Sequence, residues 1–309
     1  MNRQIFISKR TKSRFRFVLA TEIDMDLENN LYIVDSTNHR VVKWTLFGST
    51  GVVVAGGNLS GNASNQLYEP QGMYLEKDSL TIWIADTGNH RIVKWISPTD
   101  SSIVCGSEGS ANDQFDTPTG IFIDENNGNT MYIADCYNHR IQRWIEGAVS
   151  GTTVAGVTGV DGTDFDHLSF PNKVLVDEDE NMFILDSGND RVLRWKIGET
   201  SGEVIAGGQG SGIDENQLFL PQSIRFGING SLYVADTYNN RIQKFDPLPC
   251  RKLILIHILF ISIKHCFSYN NNINNNNNNN NNNFKWINQY WFNFHCSKYF
   301  LNSFILSIN

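Results

Sequence analysis

Three histidines, His39, His90 and His139, stand 51 and 49 residues apart at the same place in a recurring segment. Three imidazoles are the protein ligands of some catalytic zinc centres, so these residues are the first candidates for metal chemistry. The run Asp161-Gly-Thr-Asp164-Phe-Asp166 is a second, because closely spaced carboxylates suit calcium. Neither pattern carries through. The histidine series continues as Asp190 and Asn240 in the fourth and fifth copies, so the position belongs to the repeat and not to one metal centre. The acidic run lacks the D-x-[DN]-x-[DN]-G spacing and the closing glutamate of a calcium loop, which leaves its carboxylates reading as solvated. No Ser/His/Asp or Cys/His signature is present. The expectation is therefore no catalytic residue, no metal and no cofactor.

The elements that position these residues are five copies of one hairpin, starting at Leu31, Thr81, Thr130, Asn181 and Ser231. Each has two short runs of β-branched and aromatic residues around four turn formers, the mark of a β-hairpin. Asp35, Asp86, Asp135, Asp186 and Asp236 close the first run, at spacings of 51, 49, 51 and 50 residues. Arg40, Arg91, Arg140, Arg191 and Arg241 open the second, so each Asp should face its Arg across the hairpin as an opposite-charge pair. Asn38, Asn89, Asn138, Asn189 and Asn239 share one turn position, where Asn tolerates left-handed φ and bonds nearby backbone. Trp44, Trp95, Trp144, Trp195 and Phe245 share another, and read as packing between units.

Two further strands complete each unit. One follows a proline, as in Pro70–Leu75, Pro118–Ile123, Pro171–Val176 and Pro221–Phe226; the other is made of small residues, as in Val52–Gly56, Ser102–Gly106, Thr152–Gly156 and Glu203–Gly207. Four antiparallel strands per repeat, several times over, is the arithmetic of an all-β propeller. Helical repeats would show a 3.6-residue period, and none is visible.

The D-x-x-N-[HDN]-R-[IV] core, the basic-aromatic pair after it and the V-A-G-G outer strand resemble the NHL repeat over residues 22–246. That resemblance implies a propeller, six-bladed in most relatives, that serves as an interaction module. In some relatives it is joined to the tripartite motif of a ubiquitin ligase, or to kinases or RNA-regulatory proteins. It also implies an alternative, since similar propellers include metal-dependent amidating lyases and lactonases. Fold alone does not choose among these. The five recognisable repeats are expected to be a fragment of a six-bladed ring, because the Gly-rich loop and proline that precede every other inner strand are missing before Glu22.

Charge narrows the choice. All 32 carboxylates fall within residues 22–246 against 14 of the 25 cations, a balance of −18 for that segment. Phosphate binding requires clustered Lys and Arg, and five of the 14 are the repeat arginines, so RNA is not the expected partner. Residues 1–21 carry six cations and no acid. They read as a basic linker, with a mitochondrial transit peptide as the rival and no secretory signal; the expected compartment is the cytoplasm. Residues 247–309 hold the near-unbroken Asn tract Asn270–Asn283, which fits either translated non-coding sequence or a low-complexity disordered tail. The apolar run Leu253–Ile263 is about half the ~20 residues a membrane span needs, and fits an outer strand or a disordered segment equally. Cys105, Cys136, Cys250, Cys266 and Cys296 show no C-x-x-C spacing. No RING or B-box is therefore present, and a ubiquitin-ligase role would need one elsewhere.

In a propeller, hairpin tips and outer-to-inner connections share one face. Here that face bears the long Gly-rich connections 58–69, 107–117, 157–170 and 209–220, and long loops on a rigid scaffold are where binding concentrates. Residues that break the repeat there are the binding candidates. Tyr137 and Tyr238 are aromatic anchors at tips; Asp161, Asp164, Asp166 and His167 make the third connection acidic; Lys173 and Arg225 put cations on inner strands facing a central channel. The expected function is a non-catalytic platform for a protein or peptide.

Overall fold

The computed structural model describes residues 19–57 and 59–246. The chain divides into two compact units, Met1–Pro247 and Leu248–Asn309, and every described residue lies in the first. The basic segment before Leu19, the Asn-rich tail, the run Leu253–Ile263 and Cys250, Cys266 and Cys296 fall outside the described residues.

Five antiparallel sheets follow one another as the blades of a propeller. Blade 1 is β1 (Ala20–Met25), β2 (Leu31–Asp35), β3 (Arg40–Trp44) and β4 (Val52–Gly56). Blade 2 is β5 (Gly72–Leu75), β6 (Ile82–Asp86), β7 (Arg91–Ser97) and β8 (Asp100–Cys105). Blade 3 is β9 (Pro118–Asp124), β10 (Thr130–Asp135), β11 (Arg140–Trp144) and β12 (Thr152–Gly156). Blade 4 is β13 (Pro171–Val176), β14 (Asn181–Asp186), β15 (Arg191–Lys196) and β16 (Glu203–Gly207). Among the described residues blade 5 has three strands, β17 (Ser223–Phe226), β18 (Leu232–Asp236) and β19 (Arg241–Phe245). Each repeat Asp lies opposite its repeat Arg in the ladder, as the spacing requires.

Apolar side chains from neighbouring blades make four cores, one per seam from blade 1 to blade 5. Trp95, Trp144 and Trp195 are each buried against the preceding blade. Phe245 borders the fourth core, and Trp44 of blade 1 is half-buried. Faces that are buried at those seams stay open at the two ends of the series. Ile23, Met25 and Leu31 of blade 1 are exposed, as are Tyr233 and Ile242 of blade 5.

At the axis, polar contacts link those two ends. Glu22, Gly72, Gly120, Lys173 and Ser223 occupy one register position on the five inner strands. A Cβ on Gly72 would collide with the Thr119 carbonyl, and one on Gly120 with that of Asn172, so glycine lets these inner strands close up. Lys173 and Arg225, expected to offer cations to a partner in the channel, are instead engaged within the fold. Lys173 is 4% exposed and its ammonium is paired with Glu22 of blade 1. Arg225 pairs with Asp24 at 3.1 Å and donates to the Ile23 carbonyl at 3.0 Å. The reason is local: the inner strand of blade 1 presents two carboxylates, Glu22 in the register of Lys173 and Asp24 in that of Arg225.

Burial raises the Asp24 carboxyl, but Arg225 and Lys77 together outweigh it and hold its pKa below the ordinary 3.8. A depressed folded-state value means stability that is present above 3.8 and lost as pH falls through the lower value. The margin in melting temperature of wild type over Asp24→Asn should therefore shrink as pH drops below ~4; a margin constant down to pH ~2 would deny the ion pair this role. For the seams, urea unfolding of Trp144→Ala should show a loss of about 3–5 kcal/mol. Ile242→Ala, on the open face of blade 5, should change stability by less than about 0.5 kcal/mol.

Candidate functional site

Every hairpin tip is built the same way. After the Asp comes one turn of 3-10 helix, closed by a residue in left-handed conformation: His39, His90, His139, Asp190 or Asn240, with φ between 51° and 53°. The left-handed residue is thus one position later than the Asn expected there. Asn is needed for its side chain, which bridges the tip to the Asp: Asn38 donates to Asp35 at 2.9 Å and Asn89 to Asp86 at 2.8 Å.

Asp86 shows the full arrangement. One carboxylate oxygen accepts the Tyr68 N–H at 2.7 Å, and the other accepts Asn89 Nδ2 and Arg91 Nε, both at 2.8 Å. Arg91 then donates its remaining N–H groups to the carbonyls of Asn62, Ala63 and Gln66, and Asn89 reaches that of Gly61. The 59–69 connection is in this way tied over the tip it leads to. Arg140, Arg191 and Arg241 clamp the next three connections through residues at matching offsets. Burial pushes the carboxyls of Asp86, Asp135 and Asp186 upward against these bonds. Burial also opposes ionisation of Asp236 in the more open blade 5, but there Asn239, the Phe219 N–H and Arg241 prevail and hold it below the ordinary value.

The histidines have a structural use that spacing alone did not disclose. Nδ1 of His39 accepts the Glu69 N–H at 3.0 Å, that of His90 the Thr117 N–H at 3.1 Å and that of His139 the Phe170 N–H at 3.2 Å. Asp190 takes the same part for Leu220 at 2.6 Å. Each of these donors has positive φ, from 43° to 56°, and stands directly before the proline that leads into the inner strand. A residue before proline otherwise favours extended backbone, so the acceptor fixes a strained joint between blades.

Tyr137 and Tyr238 are 54% and 59% exposed. Each meets an aromatic residue from the end of a connection. Tyr137 packs edge-on to Phe170 with centroids 5.4 Å apart, and Tyr238 tilts against Phe219 at 5.3 Å. Tyr68, at the end of the first connection, lies 5.6 Å from the His39 ring of the blade 1 tip. These partners were not singled out in the sequence, where the signal is faint: one of the two residues before each of three repeat prolines is aromatic. Asp161, Asp164 and Asp166 are exposed in the third connection. Asp166 bonds His167 Nδ1 at 2.8 Å, which holds its carboxyl below the usual range. Asp164, Asp166 and His167 bring their ligand atoms within 4.8 Å of one another. The three seam histidines are not in that group. Cys105 and Cys136 are the free cysteines of the described residues, and burial pushes both thiols up to about 12, far from thiolate chemistry at neutral pH. Among the described residues no helix is long and apolar enough to cross a membrane.

The family model for the NHL repeat matches residues 67–95 and 220–245, the stretches from connection to hairpin in blades 2 and 5. The chain is a propeller that carries NHL repeats in those two stretches. A search of curated proteins finds no match. Solved structures that the propeller resembles include an auxiliary nutrient binding protein from Bacteroides ovatus, at 15% identity over 77% of this chain and 61% of that one, with TM-score 0.56. Others are the nidogen/laminin complex, at 17% identity over 74% and 80% with TM-score 0.50, and a catalytically inactive virginiamycin B lyase from Staphylococcus aureus with quinupristin, at 12% over 74% and 71% with TM-score 0.50. At such identities the likeness is one of fold. The clamp recurs in blades 2 to 5 and the seam acceptor in blades 1 to 4, which gives them a test in substitution. His90→Ala should lower stability by about 1 kcal/mol through the unpaired Thr117 N–H. His90→Asp, copying blade 4, should recover most of that loss in thermal unfolding. Equal losses for both variants would show that the imidazole matters for something other than accepting this bond.

Proposed function

We propose that residues 22–246 form a non-catalytic recognition platform that binds a protein or peptide on the face bearing the hairpin tips and connections. The observation that carries this reading is the pairing of exposed aromatics, Tyr137 with Phe170 and Tyr238 with Phe219, on backbone held by the Asp–Arg–Asn clamp. Aromatic side chains with few rotatable bonds lose little entropy on docking and dominate interface energetics. Loops already ordered by the clamp reduce the ordering that binding must supply.

Two features favour recognition over catalysis. The repeat carboxylates and seam imidazoles, the richest store of acid–base groups, are engaged in bonds internal to the fold. Lys173, expected to face the central channel, is paired with Glu22. The same fold serves binding in the nutrient-binding protein and in the nidogen/laminin complex, although the case here rests on this chain's own face.

Peptides selected from a displayed random library on the immobilised full chain provide the test, with affinities read by fluorescence anisotropy. Tyr137→Ala and Tyr238→Ala should each weaken the selected peptides by at least ~tenfold, about 1.4 kcal/mol. Phe47→Ala, in the β3–β4 turn on the opposite face, should leave them unchanged. Peptides indifferent to both tyrosines, or lost with Phe47, would refute the assignment of the face.

A further inference from the structure

We propose that the tip face takes a cationic segment of a protein partner, an extended stretch in which arginine or lysine alternates with apolar side chains. The inference rests on the recognition reading above and supplies the chemistry of the partner.

Charge on this face is one-sided. The four connections and five tips together carry ten carboxylates and not one lysine or arginine. Three of the repeat arginines beside the tips are turned inward: Arg140 is fully buried, and Arg91 and Arg191 nearly so, with their N–H groups on connection carbonyls, while Arg40 and Arg241 stay partly exposed against Asp35 and Asp236. The charge of the three is matched within the fold by Asp86, Asp135 and Asp186, so the carboxylates of the connections set the field that a partner meets. Several carboxylates on the opposite face are paired with lysines or amides, whereas the partners of the tip and connection carboxylates, such as His167 for Asp166 and the Leu220 N–H for Asp190, include no lysine or arginine among the described residues. Asp26 pairs with Lys43 at 3.2 Å, Glu146 with Lys94 at 2.6 Å, and Asp177 accepts from the Asn181 amides.

The apolar part of the face lies among those charges. Val157 and Val160 are exposed beside the third tip, where the Gly159 N–H bonds the Asn138 carbonyl at 2.9 Å. Tyr137 and Phe170 adjoin the same tip, and Asp116 is joined to it by the Tyr137 N–H on its carbonyl at 3.1 Å. Aromatic rings flanked by carboxylates attract guanidinium and ammonium groups through both the ring quadrupole and the net charge. One such contact already exists on this face, where the Arg191 guanidinium carbon lies 5.9 Å from the centroid of Phe165. Lone phosphate chemistry is disfavoured by the same field, which separates a cationic polypeptide from a nucleic acid as the occupant.

The test uses the full chain and three short labelled peptides of equal length that alternate leucine with arginine, serine or glutamate, read by fluorescence anisotropy at low and high salt. The arginine peptide should bind at least ~tenfold more tightly than the serine peptide, with the advantage falling as salt rises. The isosteric triple substitution Asp161→Asn, Asp164→Asn and Asp166→Asn should remove most of that advantage, and Tyr137→Ala should weaken binding by a similar factor. Circular dichroism establishes that the variants are folded. If the arginine and serine peptides bind alike and both weaken in Tyr137→Ala, the cationic partner is overturned while the recognition face stands. If the arginine peptide binds but ignores both the triple substitution and Tyr137→Ala, the attraction is diffuse and the proposal fails. If no peptide responds to Tyr137→Ala or Tyr238→Ala, both readings fall.

Discussion

A carboxylate with no exposure in every blade is the constraint on which this structure turns. An ionised group removed from water must have its hydrogen bonds returned by the fold, or the cost exceeds the stability of a typical domain. Asp86 meets that demand by accepting from a backbone N–H, an amide and a guanidinium. The guanidinium in turn brings further donors that must be satisfied, and carbonyls of the preceding connection accept them. One buried charge thus orders about a dozen residues of loop that contain little apolar matter of their own.

The same logic extends from blade to ring. Apolar packing supplies four seams, and at the tip face of each His39, His90, His139 or Asp190 accepts a backbone N–H that leads into the next blade. Between blades 5 and 1 the corresponding apolar faces are exposed, and what joins them is electrostatic: Arg225 on Asp24, with Lys173 of blade 4 reaching Glu22. Buried ion pairs contribute less net stability than apolar packing of the same volume, since desolvation offsets attraction. Their value is positional. Three cations, on β5–β6 turn residue Lys77 and on the inner strands of blades 4 and 5, converge on one strand of blade 1 and set where that strand lies.

Much of this is legible in sequence because it is local. The period, the Asp–Arg pairing and the packing role of Trp95, Trp144 and Trp195 follow from alternation and from residues five or nine apart in one hairpin. What is not legible depends on elements brought together by the ring. Lys173 reads as a free cation until Glu22, 151 residues earlier, is placed against it. The histidines read only as a repeat position until the Thr117 and Phe170 amides arrive from the next blade; the replacement of His by Asp190 is the available hint, since both side chains accept a hydrogen bond. The left-handed residue was placed one position early because Asn is the usual choice there, and its amide is needed instead to bridge to the Asp. Phe170 and Phe219 went unmarked because a residue before proline has no evident orientation until its joint is built.

The division between internal and external polar groups bears directly on what such a surface can do. Catalysis needs groups poised to change protonation or to attack, with shifted pKa values and open coordination. In this propeller the groups closest to that description have their bonding capacity filled by neighbours, and the thiols are driven away from reactivity. Left over on the tip face are the carboxylates of the connections, varied in number from one connection to the next, and aromatics that break the repeat. Because the clamp holds the backbone irrespective of the side chains that point outward, those positions can vary without disturbing the blade beneath. A scaffold held by a clamp beneath the surface leaves its outer residues free to vary, and here they combine ring faces with a net negative charge.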